Sequence, residues 1–291
     1  MAGGIHCLSK NKMWTVCVDR NEKLNAERAA LRGPVMSTNT VTPSSLEIAN
    51  AHERDEHITF HEGPHVYTLA NSAVEFTSVT ALVHQQFEPF DAERILDSIF
   101  SRDPVAEKYR GETKESLRDA WERNRVEASA AGTLLHKDIE DFFNGGNVTN
   151  ESTEWGYFTD FHAANPHVKP YRTEWVVYDE SIALAGSIDL VTENDDGTLS
   201  IYDWKRSKEI RKTNRYNRFS TNPRISHVPD ANFWHYSLQL NIYRSILERK
   251  YGRTVKELFL VCLHPNHSSY QLIKCPDLRG EVAALFAARG N

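Results

Sequence analysis

Asp189, Asp203 and Lys205 are the residues of this chain whose types and spacing point most directly to chemistry. In the segment Leu199 to Lys205, the residues Leu199, Ile201, Asp203 and Lys205 alternate with Ser200, Tyr202 and Trp204. Side chains leave a strand on opposite faces with a period of two, so Asp203 and Lys205 share a face. Asp189 closes the motif Gly186-Ser187-Ile188-Asp189, after an apolar run that begins at Ile182. A carboxylate among apolar strand residues is expensive without a partner, and a metal ion is a natural one. Two acids gather a hard cation, and a lysine beside them can hold a water or steady developing negative charge. Such a group suits metal-assisted hydrolysis of a phosphodiester.

Three further groups accompany it. His136 and Glu140 lie four apart, on one face of a helix, and an imidazole or a carboxylate can ligate a divalent metal. Glu174 opens the apolar segment that precedes the Gly186 motif. Gln239 and Tyr243, again four apart, can be directed together at a phosphate or at the lysine. Beyond Lys205 runs a basic stretch, with Arg206, Lys208, Arg211, Lys212, Arg215, Arg218 and Arg224 against the single acid Glu209, and with Tyr216 and Phe219 interleaved. Cations bind phosphates by releasing counterions, and aromatic rings stack on exposed bases. Taken singly, each group is also what a solvated strand end, a surface histidine, a polar helix edge or a charged loop shows.

The elements that must position these residues can be read from periodicity. A β-hairpin is expected from Ile58–Phe60 and Val66–Leu69, and a helix start near Thr77. Helices are expected over 91–100, 114–144 and 151–164, the second stopped by Asn144-Gly145-Gly146. Strands follow over 171–178, 183–193 and 198–205, the last two joined by the turn Asn194-Asp195-Asp196-Gly197. A helix over 232–251, strands over 258–264 and 270–273, and a helix over 277–289 complete the order. This predicts an α/β (α+β) domain, a central mixed sheet flanked by helices, over 56–291. Residues 1–55, with the polar run Ser37 to Ser45, read as a flexible or peripheral leader.

The 291 residues are 40% hydrophobic and 25% charged, as in an ordinary globular protein, and the net charge of −6 excludes a uniformly basic surface but not a local patch. No apolar run is long enough to span a membrane, and the N-terminus lacks the apolar core of a secretory signal, so an intracellular protein is expected. Cys7, Cys17, Cys262 and Cys275 match no compact metal motif.

In order along the chain, Gly132-Thr133-x-x-His136, Gly186-x-x-Asp189, Asp203-x-Lys205 and Gln239-x-x-x-Tyr243 resemble the RecB-type branch of the PD-(D/E)XK nuclease superfamily, over about residues 58–275. The chain looks similar to its exonuclease-like members, such as the mitochondrial genome maintenance exonuclease and viral or phage relatives. The resemblance implies a restriction-endonuclease-like core with a helical N-terminal part. It implies that His136, Asp189 and Asp203 ligate Mg²⁺ or Mn²⁺ together with the Trp204 carbonyl, that Lys205 positions the attacking water, and that Glu140 and Glu174 are further ligands or neighbours. Gln239 and Tyr243 would support substrate and site. DNA, single-stranded or at its ends, is the implied substrate, with replication, recombination or repair as the setting and their proteins as partners. The cysteines lack the grouping of the branch that carries an iron–sulfur cluster, so none is expected. A structure-specific endonuclease, or an inactive DNA-binding module on the same fold, is the alternative.

Overall fold

A computed structural model of the chain describes residues 44–102 and 106–289. Residues 1–43 of the expected leader, with Cys7 and Cys17, lie outside the described residues. Strands β1 (Ile58–His61) and β2 (Val66–Leu69) form a two-stranded sheet. Residues 60–66 at its tip group apart from 44–59 and 67–289, which form one unit.

The described part of the leader packs on this unit. Ser44 and Glu47 close a capping box on a short helix, α1 (Ser45–Ala49), and such reciprocal caps offset the cost of nucleating a helix. Asn50 Nδ2 donates to the Tyr171 carbonyl at 2.8 Å. Arg172 Nη1 reaches Asp55 at 2.6 Å and the Asn50 carbonyl at 3.0 Å.

The main sheet has six strands: β3 (Thr77–Ser78), β4 (Pro170–Asp179), β5 (Leu184–Glu193), β6 (Leu199–Lys205), β7 (Val255–Cys262) and β8 (Gln271–Lys274). The helices are α2 (Val79–His84), α3 (Ala92–Phe100), α4 (Lys114–Phe143), α5 (Thr153–Ala164), α6 (Asn232–Lys250) and α7 (Arg279–Ala287). β4 runs antiparallel along the whole of β5. The other edge of β5 is shared. β3 pairs with Leu184 and Ala185 at its start, and β6 pairs with Leu190 to Glu193 at its end. Gly186 to Asp189 lie in the gap between them. The turn from β5 to β6 places Gly197 at φ +75°, where glycine carries no steric cost. β6 is parallel to β7 through the α6 crossover, and Lys205 stands opposite Cys262.

The alternation of β6 sends its residues into two different cores. Leu199 and Ile201 join Leu238, Ile242 and Ile246 of α6 on one face. Tyr202 and Trp204 join Leu135 and Ile139 of α4 and Phe158 and Phe161 of α5 on the other. Only the C-terminal part of α4 is held this way. No residue between Leu117 and Leu135 is buried, and α3 lies against that outer stretch through the Arg118–Glu93 pair at 2.8 Å.

Candidate active site

The site forms where β5 and β6 part. The ladder ends at the pair Leu190–Tyr202, so Asp203 to Lys205 have no backbone partner on β5. Instead the Trp204 N–H donates to Asp189 Oδ2 at 2.9 Å. A buried backbone donor needs an acceptor, and here a carboxylate fills that place at the fork. The Trp204 indole is fully buried against Phe158 and Phe161, which fixes the backbone that makes the contact.

His136 enters from α4. Its Nε2–H donates to the Trp204 carbonyl at 3.0 Å, which turns Nδ1 toward Asp189 Oδ2 at 3.5 Å and Glu174 Oε1 at 3.7 Å. The β4–β5 register sets Glu174 opposite Asp189, between the pairs Thr173–Leu190 and Trp175–Ile188. Glu174 has φ +43°, a region non-glycine residues avoid, and strain of this kind collects at functional sites. Ser187 Oγ donates to Glu174 Oε2 at 3.0 Å. One ligand atom each from His136, Glu174 and Asp189 lies within 4.8 Å of the others. An imidazole nitrogen and two carboxylates converging this closely suit one divalent cation.

Asp203 lies beside this group and is engaged by Lys205. Its Oδ2 lies 2.6 Å from Lys205 Nζ, the pair is nearly buried, and the Lys205 ammonium sits 4.7 Å above the Tyr236 ring. Thus Glu174, not Asp203, completes the convergent group. Glu140 also falls outside it and pairs with Lys137 at 3.3 Å.

Burial and charge set the protonation. Burial alone would lower the His136 pKa, but the Asp189 and Glu174 carboxylates outweigh it and push it up to about 9. Burial raises Asp189. Burial also pushes Asp203 up to about 6 against the pull of Lys205. Lys205 is raised, because Asp203 and Asp189 overcome the burial that disfavours its charge. Burial lifts Tyr243 well above the ordinary phenol, so it keeps its proton.

Gln239 and Tyr243 do share a face of α6. Gln239 Nε2 donates to Tyr243 Oη at 3.4 Å and to Thr80 Oγ1 at 3.5 Å. The Tyr243 ring lies against Gly186, where a Cβ would come within 2.8 Å of Cε1, so only glycine admits the ring into the gap on β5. Two neighbours went unread in the sequence, although spacing could have found both. Tyr236 lies three and seven residues before Gln239 and Tyr243, and Ser187 lies two before Asp189.

The basic stretch divides. Arg206 turns inward and pairs with Glu154 at 2.7 Å, both mostly buried, so it is placed as a tie between β6 and α5 and not as an outward cation. Lys208, Arg211, Lys212, Arg215, Tyr216 and Arg218 are exposed. Arg211 pairs with Glu209, and Arg218 with Glu88 at 3.2 Å.

The sequence model of the PD-(D/E)XK nuclease superfamily matches residues 81–283, which contain His136, Glu174, Asp189, Asp203, Lys205, Gln239 and Tyr243. The chain belongs to that superfamily. It is therefore a nuclease, on a mixed sheet flanked by helices, of a kind that typically uses divalent metals. No curated protein sequence matches it. Among solved structures, the protein SSO0001 is 14% identical, with a TM-score of 0.30, and the match covers 73% of each chain. A Eubacterium rectale protein carrying a provisional exonuclease designation is 9% identical, with a TM-score of 0.29, over 55% of this chain and 63% of that one. No helix among the described residues is long and apolar enough to cross a membrane.

Proposed function

We propose that this nuclease is a metal-dependent deoxyribonuclease of the RecB-type branch and an exonuclease that works from DNA ends. The observation that carries the reading is the meeting, at one fork in the sheet, of His136, Asp189, Asp203, Lys205, Gln239 and Tyr243, which the RecB-type motifs name in that order. The outer stretch of α4, unburied between Leu117 and Leu135 and braced by α3, is the element we assign to guiding a free end.

His136, Glu174 and Asp189 would hold Mg²⁺ or Mn²⁺, with Asp203 and the Trp204 carbonyl beside them. Such a cation lowers the pKa of a bound water and offsets charge on the phosphoryl oxygens. Lys205, fixed by Asp203 and the Tyr236 ring, donates hydrogen bonds to the attacking water and faces the negative charge that builds in the transition state. Tyr243, protonated and oriented by Gln239, donates to a phosphate oxygen. The products are a 5′-phosphate and a 3′-hydroxyl, and the setting is DNA replication, recombination or repair. Labelled linear single strands and the same sequence closed into a circle test the reading, in Mg²⁺ and in Mn²⁺. The linear strand should be degraded from one labelled end and the circle left whole. Cutting of the circle at a comparable rate would show an endonuclease.

Cation binding should be tied to pH. His136 and Asp203 have folded-state pKa values raised above their unfolded ones. Each therefore contributes stability that is fully present below the unfolded value and is lost as pH rises through about 9 and about 6, respectively. A cation held at His136 Nδ1 must displace the proton there, so its affinity runs the other way. Without divalent metal, the melting temperature should fall between about pH 6 and 9, and the increment given by Mn²⁺ should grow over that range. His136→Gln should flatten the upper part of both trends. An Mn²⁺ increment that does not change with pH would remove His136 from the cation site.

A further inference from the structure

Among the described residues, only three Phe, Tyr or Trp rings are exposed: Tyr216 at 73%, Phe90 at 72% and Phe219 at 40%. Exposed rings are costly to leave in water without a use, and here they are not scattered. All three sit on two segments, 86–90 and 214–222, which are far apart in sequence and laced together. Ser220 Oγ donates to the Gln86 carbonyl at 2.7 Å, as does the Thr221 N–H at 2.9 Å. Asn222 Nδ2 donates to Gln86 Oε1 at 2.7 Å. Arg218 bridges the two, with one face of its guanidinium 5.0 Å from the Tyr216 ring and Nη1 3.2 Å from Glu88, two residues before Phe90.

Cations border the Tyr216 ring, while the Phe90 ring meets the edge of Trp121 with centroids 6.4 Å apart. Tyr216 shares an open recess of about 230 Å³ with Arg211, Asn214 and Arg215. This basic neighbourhood stands out in a chain whose net charge is −6. It also borders the site. The chain reaches it directly from Lys205, and the Phe87 ring lies tilted against His235 with centroids 3.9 Å apart, one residue before the Tyr236 that supports Lys205.

We infer that Phe90, Tyr216 and Arg218 form a base-stacking clamp that holds a single-stranded DNA segment leading into the fork. The inference rests on the nuclease reading above and narrows its substrate to a strand with unpaired bases. Rings with open faces can stack only on bases whose own faces are free, and those of a duplex interior are already stacked. Arg218 adds a planar cation to the stack, and Arg211, Lys212 and Arg215 meet the phosphates. Such contacts tolerate any base, as a nuclease that moves along a strand requires.

The full chain should be titrated in EDTA, which blocks cutting, against three ligands of about 15 nucleotides, a length matched to the usual site size. These are a thymidine strand, a blunt duplex and a strand of abasic sugars. Phe90→Ala and Tyr216→Ala should each weaken binding to the thymidine strand about 10-fold, and Tyr216→Trp should keep it. Binding to the abasic strand and the duplex should change by less than about twofold, since only charge acts there. Both rings are exposed, so melting temperatures should match the wild type. Wild-type affinity for the thymidine strand in the two alanine variants would overturn the clamp, as would an equal loss on the abasic strand. Cleavage is not the readout. A failed clamp therefore leaves the result for Lys205 untouched, and a Lys205→Ala protein that still cuts DNA leaves the clamp standing.

Discussion

Replacing Lys205 by alanine should reduce DNA cleavage by about 10²-fold or more while leaving DNA affinity within a few-fold of wild type. That magnitude is what removal of one preorganised charge at a reacting centre costs. Two features make the loss large. The ammonium is held between the Asp203 carboxylate at 2.6 Å and the Tyr236 ring, so it needs no reorganisation during the reaction. It is also mostly buried, so water cannot stand in for it.

The same substitution has a stability signature that separates it from simple unfolding. Asp203, nearly buried and already raised by burial, loses its cation and is raised further. Its folded pKa then lies well above the unfolded value, and the stability it contributes is lost as pH rises through that higher pKa. The variant should melt close to wild type near about pH 5, where Asp203 takes a proton, and fall behind by about pH 8. Cleavage rates on end-labelled DNA, binding by anisotropy and melting curves at the two pH values check the three parts. Full activity in Lys205→Ala would remove this lysine from the chemistry.

The parts of the site that could be read in the sequence are those that depend on short-range geometry. The period of two along β6 joins Asp203 to Lys205, and the period of a helix joins Gln239 to Tyr243. The glycine-containing turn before β6 and the stop after α4 are local chemistry as well. Long-range register lay outside that reach. Glu174 faces Asp189 only because β4 and β5 pair as they do, so the sequence offers it only as a secondary candidate beside Asp203. Arg206 looked like one more cation of a basic run, because nothing near it in sequence points to Glu154, 52 residues away. Residues 44–55 looked like part of a leader because their partners on β4 lie more than 100 residues downstream.

Those last partners give the largest expected loss of stability. Asp55→Ala should cost about 3–5 kcal/mol, the usual result of removing one member of a buried ion pair. Asp55 Oδ2 lies 2.6 Å from Arg172 Nη1, and Oδ1 accepts the Trp175 Nε1–H at 2.8 Å. Arg172 is 4% exposed, and a guanidinium cannot shed its charge as a buried carboxyl can. The substitution therefore leaves an indole N–H without its acceptor and a buried cation with only the Asn50 carbonyl at 3.0 Å and Glu47 at 3.9 Å. Asp55→Asn should recover part of the loss by keeping an acceptor. Pairing Asp55→Ala with Arg172→Met should cost less than Asp55→Ala alone, since the methionine can pack on Tyr171 and Trp175 with no charge left behind. Denaturant unfolding of the three variants measures this, and a double variant less stable than the single one would refute it.

A second consequence reaches the site. Arg172 and Trp175 flank Thr173 and Glu174, and Asn144 at the end of α4 donates to Thr173 Oγ1 at 2.9 Å. A strained residue persists only when its surroundings over-determine it, and Asp55 holds the strand on both sides of Glu174. Asp55→Ala should therefore lower cleavage at temperatures well below its own melting point, with a weaker apparent affinity for the divalent cation. Asp55→Ala combined with Arg172→Met should regain stability without regaining that affinity, because a methionine restores packing but not the hydrogen bonds that position β4.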